Sequence, residues 1–237
     1  MIRLIRDTEP SELKLKKAEL LKKYKLTKEP VWREVESLSK SLLGFSNNKC
    51  AYCERKLNRG TLTVEHFHPR KSAPKEVLEW NNLLPCCKEC NTNKDNFNTM
   101  VEDFIDPCTD DPSLYLHLNT QNLFFDINDG NKKAFNTVNI LKFNERRSSL
   151  YRRRFNIKNK VDTLFSNLLN NYLSDNAVSC LKDLFLNSDD KAELSAVYST
   201  CILKSSYYKE LKHRIIEDGK WDNELEQKEA VARGKCL

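Results

Sequence analysis

The chain has 237 residues, 39% hydrophobic and 31% charged, with a formal net charge of +6. That is enough apolar material for one large domain or two small ones beneath a polar surface, and five glycines and seven prolines exclude a fibrous or low-complexity chain. The mildly basic balance permits a nucleic-acid partner without requiring one, and no apolar run approaches the roughly 20 residues that a membrane helix needs.

The opening MIRLIRDTEP has neither the apolar stretch nor the cleavage site of an export signal, so the expected setting is the cytoplasm, with thiols reduced. Residues 11–44 read as helical. Leu13, Leu15, Leu20 and Leu21 lie among lysines, Glu29-Pro30 makes a break, and Val31, Val35, Leu38, Leu42 and Leu43 share one side of a second segment. Seven lysines and one glutamate fall between Lys14 and Lys28, which describes a solvated face or one that meets phosphate.

Nine cysteines cannot all pair, and in a reducing compartment clustered thiols point to metal. Cys50-Ala-Tyr-Cys53 and Cys87-Lys-Glu-Cys90 form C-x2-C-x33-C-x2-C. Two such knuckles complete a tetrahedral Zn²⁺ site, and four thiolates leave no open position, so this zinc is expected to be structural. Cys86 adjoins Cys87, but Cys87 keeps the two-residue spacing. Cys180 and Cys201 lie in or beside apolar helix stripes and read as core.

Between the knuckles, Thr61 to Val64 reads as a strand that Pro69 ends. Trp80 to Pro85 reads as a loop, and a helix begins at Cys87-x-x-Cys90-Asn91-x-x-Lys94-Asp95. Further on, Leu114–Leu118 and Leu123–Ile127 suggest a small hairpin, with Asn128-Asp129-Gly130 as a turn. From 146 onward the chain reads as helical. Val161, Leu164, Phe165, Leu168, Leu169, Tyr172 and Leu173 make one stripe, Leu181, Leu184 and Phe185 a second, and Leu194 to Ile215 a third, with a polar, loose tail from about Asp218.

A CxxC knuckle, a strand ending in Glu65-His66, an Asn-Leu loop at Asn82 and C-x-x-C-N-x-x-K together resemble the HNH endonuclease family over about 46 residues, Cys50 to Asp95. The resemblance implies an α+β fold: a ββα-metal core stapled by the four-cysteine zinc site, with an N-terminal helical segment and a mostly helical C-terminal region. The segments expected are 1–45 (basic helices), 46–110 (nuclease core) and 111–237 (hairpin plus partner-binding helices). It implies that His66 is the general base, Glu65 a ligand of a catalytic divalent ion, Asn82 the residue pinning the loop that aims the histidine, and Asn91 a metal-facing side chain on the helix. Asp95, one helical turn on, is a further candidate ligand.

This is an H–N–N variant, with glutamate where an aspartate commonly precedes the first histidine. Oxygen donors at these positions suit Mg²⁺ or Mn²⁺. Phosphodiester hydrolysis needs a base for water and a Lewis acid for the phosphate and leaving oxygen, which this set supplies. His68, Arg70, Lys71 and Lys94 are candidate phosphate contacts. The competing reading is a zinc-stapled nucleic-acid-binding or adaptor subunit that does no chemistry.

More narrowly, Glu65-His66-Phe-His-Pro-Arg-Lys, Phe104-Ile-Asp-Pro, Ala134-Phe-Asn-Thr-Val-Asn and Leu150-Tyr-Arg-Arg-Arg look like the HNH subunit of Septu-type and retron-associated anti-phage defence systems. That likeness implies an ABC-type ATPase partner, in the retron version a reverse transcriptase with its RNA–DNA hybrid, and a nucleic-acid substrate, DNA before RNA or tRNA. A basic run (Arg146, Arg147, Arg152, Arg153, Arg154, Lys158 and Lys160) suits nucleic acid, an acidic ATPase surface or plain solvent.

Overall fold

The computed structural model describes residues 1–127 and 130–237. Chain contacts divide it into two units, Met1–Asp111 with Asn128–Leu141, and Pro112–Ile127 with Lys142–Leu237.

In the first unit, α1 (Ser11–Thr27) buries Leu13, Leu20 and Tyr24 and ends at Lys28, whose left-handed φ of 59° lets its N–H reach the Tyr24 carbonyl. Pro30 opens a 3₁₀ turn over Val31–Glu34. The Glu12 carboxylate then accepts from the Ser37 N–H and hydroxyl, tying the entry of α2 (Leu38–Phe45) to α1. The N-terminal helices and the cysteine-bearing residues fall in the same unit.

β1 (Leu62–His66) runs two residues past the expected strand and pairs antiparallel with β2 (Leu83–Cys87), in the register Leu62↔Cys87 to His66↔Leu83. Residues 83–85 were expected in a loop; they are strand. Pro85 is tolerated because the sheet has two strands only, and its carbonyl on the outer edge accepts from the Ala51 N–H at 2.8 Å. α3 (Lys88–Lys94) follows directly, its first turn capped by the Cys87 sulfur, which accepts from the Cys90 N–H. A ββα unit results, as expected. Sequence reading missed α4 (Lys132–Ile140), although the Asn131 side chain caps it by accepting from the Ala134 N–H.

In the second unit, β3 (His117–Leu118) and β4 (Phe125–Asp126) form a very short hairpin turning through 119–124. The turn expected at 128–130 therefore does not join these strands, and its first two residues lie outside the described ones. α5 (Ser149–Asn170), α6 (Ser174–Phe185), α7 (Ser195–Leu203), α8 (Ser206–Glu217) and α9 (Asn223–Arg233) make a helical bundle. The third expected stripe is two helices, broken at Lys204-Ser205. The supposedly loose tail is α9, capped by Asp222 and docked through buried Leu225 and Ala232, with the Tyr208 hydroxyl donating to Glu229 at 2.6 Å. Leu173 lies beyond the end of α5 and is exposed; of the two thiols expected in the core, Cys201 is buried and Cys180 half-exposed.

The basic run does not form one face. Arg154 is fully buried, donating to the Phe143 carbonyl and lying over the Phe125 ring. Arg153 pairs with Glu193, Lys158 with Asp162, and Arg146 sits over Phe124. A 3.6-residue repeat spreads consecutive basic residues around the helix, and one position in the run faces the core.

Candidate functional site

The two cysteine knuckles converge. Sγ atoms of Cys50, Cys53, Cys87 and Cys90 all lie within 4.8 Å of one another, the one such group of potential ligands among the described residues, and all four side chains are buried. A tetrahedron with Zn–S of about 2.3 Å has edges of about 3.8 Å, and Cys53 and Cys87 are 3.8 Å apart. All nine cysteines are free of disulfides. Donor chemistry and spacing fit a structural zinc. Cys86 is the unused fifth thiol, buried and 3.8 Å from Cys50. The staple joins the segment before β1 to the β2–α3 junction, so it fixes the hairpin against the helix.

A cleft of about 430 Å³ opens beside that hairpin, lined by Trp32, Arg33, Ser39, residues 62–66, Pro69, Arg70, Asn91, Asp95 and Asn96. His66, at the end of β1, is 5% exposed. Its Nε2 is 3.0 Å from the Val77 carbonyl. A carbonyl only accepts, so Nε2 carries the proton and Nδ1 keeps its lone pair. Nδ1 has no protein partner among the described residues. The Trp32 ring meets the imidazole edge-on at 4.6 Å, and burial holds the His66 pKa down to about 4.

Asn82 does not line the cleft. It is buried, its Oδ1 accepts from the His68 N–H at 2.6 Å, and its Nδ2 donates to the carbonyls of His68 and Glu76, each at 3.1 Å. It closes the 67–82 loop on itself just before Val77, whose carbonyl holds His66. Arg6 braces the same loop, donating to the carbonyls of Trp80, Asn81 and Leu83. Replacing Asn82 with alanine orphans a donor and two acceptors inside the protein. At about 1–3 kcal/mol per buried orphan, the expected result is a loss of about 3 kcal/mol or more in denaturant unfolding, with faster amide exchange across 67–77.

Strand alternation sends Glu65 to the face opposite His66. Its carboxylate is 3% exposed and accepts from the Lys94 ammonium at 2.7 Å and from the Tyr52 hydroxyl at 3.5 Å. Burial lifts its pKa to about 7, against the pull of Lys94. Lys94 also donates to the His66 carbonyl at 3.1 Å and is fully buried. As placed, Lys94 is therefore not an exposed phosphate contact: the neighbouring carboxylate draws it inward.

Asn91 and Asp95, one helical turn apart, both line the cleft. Asp95 ends α3 with φ 41° and ψ −122°, a strained conformation for a residue with a Cβ, of a kind that gathers at functional sites. Arg70 lies at the cleft and Lys71 is exposed outside it. His68 falls on another side, its Nδ1 2.8 Å from Glu76 in a concavity that does not include His66, because β1 ends at His66 and period-two alternation stops there. Sequence reasoning missed Trp32, Arg33, Ser39, Asn96, Tyr52 and Arg6. Tyr52, inside a CxxC knuckle, and Asn96, next to Asp95, had a neighbouring signal; the others had none.

Residues 50–97 match the HNH endonuclease family, a segment that holds the four clustered cysteines, the ββα unit and His66. The chain is similar over nearly its whole length to the Septu protein PtuB of Bacillus thuringiensis, at 29% identity across 94% of this chain and 90% of that protein. It is also similar to the SPbeta prophage-derived protein YoqL of Bacillus subtilis strain 168, named as an HNH endonuclease, at 30% identity across 38% of this chain and 40% of the relative. No solved structure matches. Among the described residues, no helix is long and apolar enough to cross a membrane.

Proposed function

We propose that this chain is a divalent-metal-dependent HNH endonuclease, hydrolysing phosphodiester bonds with His66 as general base. The observation that carries the reading is the His66 ring itself. Its Nε2–H is committed to the Val77 carbonyl, and its free Nδ1 sits in the same cleft as Asn91 and Asp95. A neutral imidazole so held takes a proton from water at Nδ1, a role worth about 10²–10⁴ in rate. Asn91 and Asp95 present oxygens that fit a hard cation such as Mg²⁺ or Mn²⁺; for Glu65 to join them, its pair with Lys94 must open and its carboxylate must turn from the opposite face of β1 toward the cleft. When bound, that ion neutralises charge at the phosphate and at the leaving oxygen. Trp32 and the 67–82 loop keep bulk water from the other faces of the ring.

The PtuB relative favours a place in a Septu-type defence system; the proposal adds that the chain acts in the cytoplasm on DNA before RNA or tRNA, under an ABC-type ATPase encoded beside it. In the retron form of this reading, a reverse transcriptase and its RNA–DNA hybrid join the complex. The test is to incubate the chain, alone and with its neighbouring ATPase, with labelled DNA and RNA panels in Mg²⁺ or Mn²⁺. Cutting of either polymer supports the reading. Salt-dependent binding with no cutting under any metal or partner supports the adaptor reading instead.

The depressed pKa of His66 makes a separate prediction. The ring stays neutral below the ordinary histidine value of about 6.5, so its NMR titration should have a midpoint near 4. The acid limb of kcat/KM should fall at that lower pH. A midpoint at or above 6.5 contradicts the buried ring.

A further inference from the structure

We infer that Arg33 and Arg70 form a phosphate clamp at the His66 cleft, so that substrate is gripped jointly by the HNH segment and by a short N-terminal wall outside it. This rests on the nuclease reading and names how that site holds its polymer. Arg33 belongs to the 3₁₀ turn Val31–Glu34 and lies outside residues 50–97, yet it lines the cleft together with Arg70, His66, Asn91 and Asp95. Both arginines are exposed, and neither has a carboxylate partner among the described residues.

None of the acids around them pairs with either guanidinium, although Asp95 stays in the cleft beside Asn96. Glu34 pairs with Lys23 at 2.9 Å, Glu65 with Lys94 at 2.7 Å, and Asp95 accepts from Asn96 at 3.1 Å. Two unpaired guanidiniums are thus left facing one concavity. A planar five-donor fork matches the two free oxygens of a phosphodiester, which an ammonium does not. The placement is also fixed relative to the base. Trp32 receives Arg70 over its face at 4.9 Å and meets the His66 ring edge-on at 4.6 Å, so one buried indole sets both groups. The ligand chemistry is a nucleic-acid backbone. The clamp does not itself choose DNA or RNA.

The test uses the full chain with zinc loaded and His66→Ala as background, so that bound polymer is not cut. Three fluorescein-labelled probes of one sequence, about 30 nucleotides long to exceed the site sizes of about 4–16 nucleotides usual for single-strand binders, are compared by anisotropy across a salt series: single-stranded DNA, duplex DNA and RNA. Arg33→Ala and Arg70→Ala should each weaken binding about tenfold, and each should lower the slope of log affinity against log salt by about one. Arg33→Lys should restore the slope and only part of the affinity. The probe showing the largest loss is the polymer the clamp serves. The thermal midpoint should not move in Arg33→Ala and should fall by only a few degrees in Arg70→Ala, which loses its contact over Trp32. Unchanged affinity and slope on all three probes in both alanine variants overturns the clamp. Cutting by the wild-type chain, followed in parallel, decides the nuclease reading alone, because the binding loss is read without catalysis.

Discussion

Cys90→Ser, or prolonged chelation, will cost the first unit its hairpin and α3. The four thiols tie residues 50–53 to the β2–α3 junction, and the unit has a two-stranded sheet there, too small to stand unaided. A structural zinc contributes about 10–16 kcal/mol of binding free energy to small sites, comparable with the whole stability of a domain at about 5–15 kcal/mol. Metal analysis should find one zinc per chain, falling to substoichiometric in Cys90→Ser, with loss of the β1–β2 cross-strand NMR contacts. Cys86→Ser is the contrast: Cys86 is buried beside Cys50 but outside the group of four, so zinc should stay and the cost should be about 1–3 kcal/mol from burying a hydroxyl. A metal-free chain that keeps its hairpin would contradict the staple.

His66→Ala will abolish cutting while leaving the zinc in place. The ring is not among the four thiol ligands, and its removal opens a void next to Trp32 and frees the Val77 carbonyl. Those losses should cost about 1–3 kcal/mol in stability, far short of unfolding a zinc-held unit. The effect on rate is of another size. Losing the base forfeits about 10²–10⁴, and no other imidazole lines the cleft to replace it: His68 is turned to Glu76. A variant that loses cutting together with zinc would show a folding defect and say nothing about the base.

The four-cysteine cluster and the ββα order were legible because metal ligation constrains spacing: C-x2-C twice is a local pattern that survives translation into space. So were the strand at Glu65-His66 and the helix carrying Asn91, while the loop read over 80–85 is strand from Leu83. What sequence could not show was where Glu65 and Lys94 point. Both belong to the motif, yet their mutual attraction across β1 and α3 buries them together, and their wide separation along the chain gives no sign of that pairing. Trp32 and Arg33 were hidden for a related reason: they enter the cleft from a segment distant in sequence and without a motif. The basic run at 146–160 left three readings open because it is a property of composition, and the helix distributes it, with Arg154 turned into the core. α9 was missed because its polar sequence buries only three positions, Leu225, Glu229 and Ala232, with Glu229 held by Tyr208, Lys212 and Arg233.

The most direct test of the central claim is single-turnover cleavage in Mn²⁺ by the zinc-loaded chain with the proposed ATPase partner, wild type beside His66→Ala, with zinc content measured on the same samples. Equal zinc and a cleavage rate lower by at least about a hundredfold is the result predicted from the His66 cleft. Equal zinc with equal rates would remove His66 from the chemistry and place any cutting elsewhere in the complex.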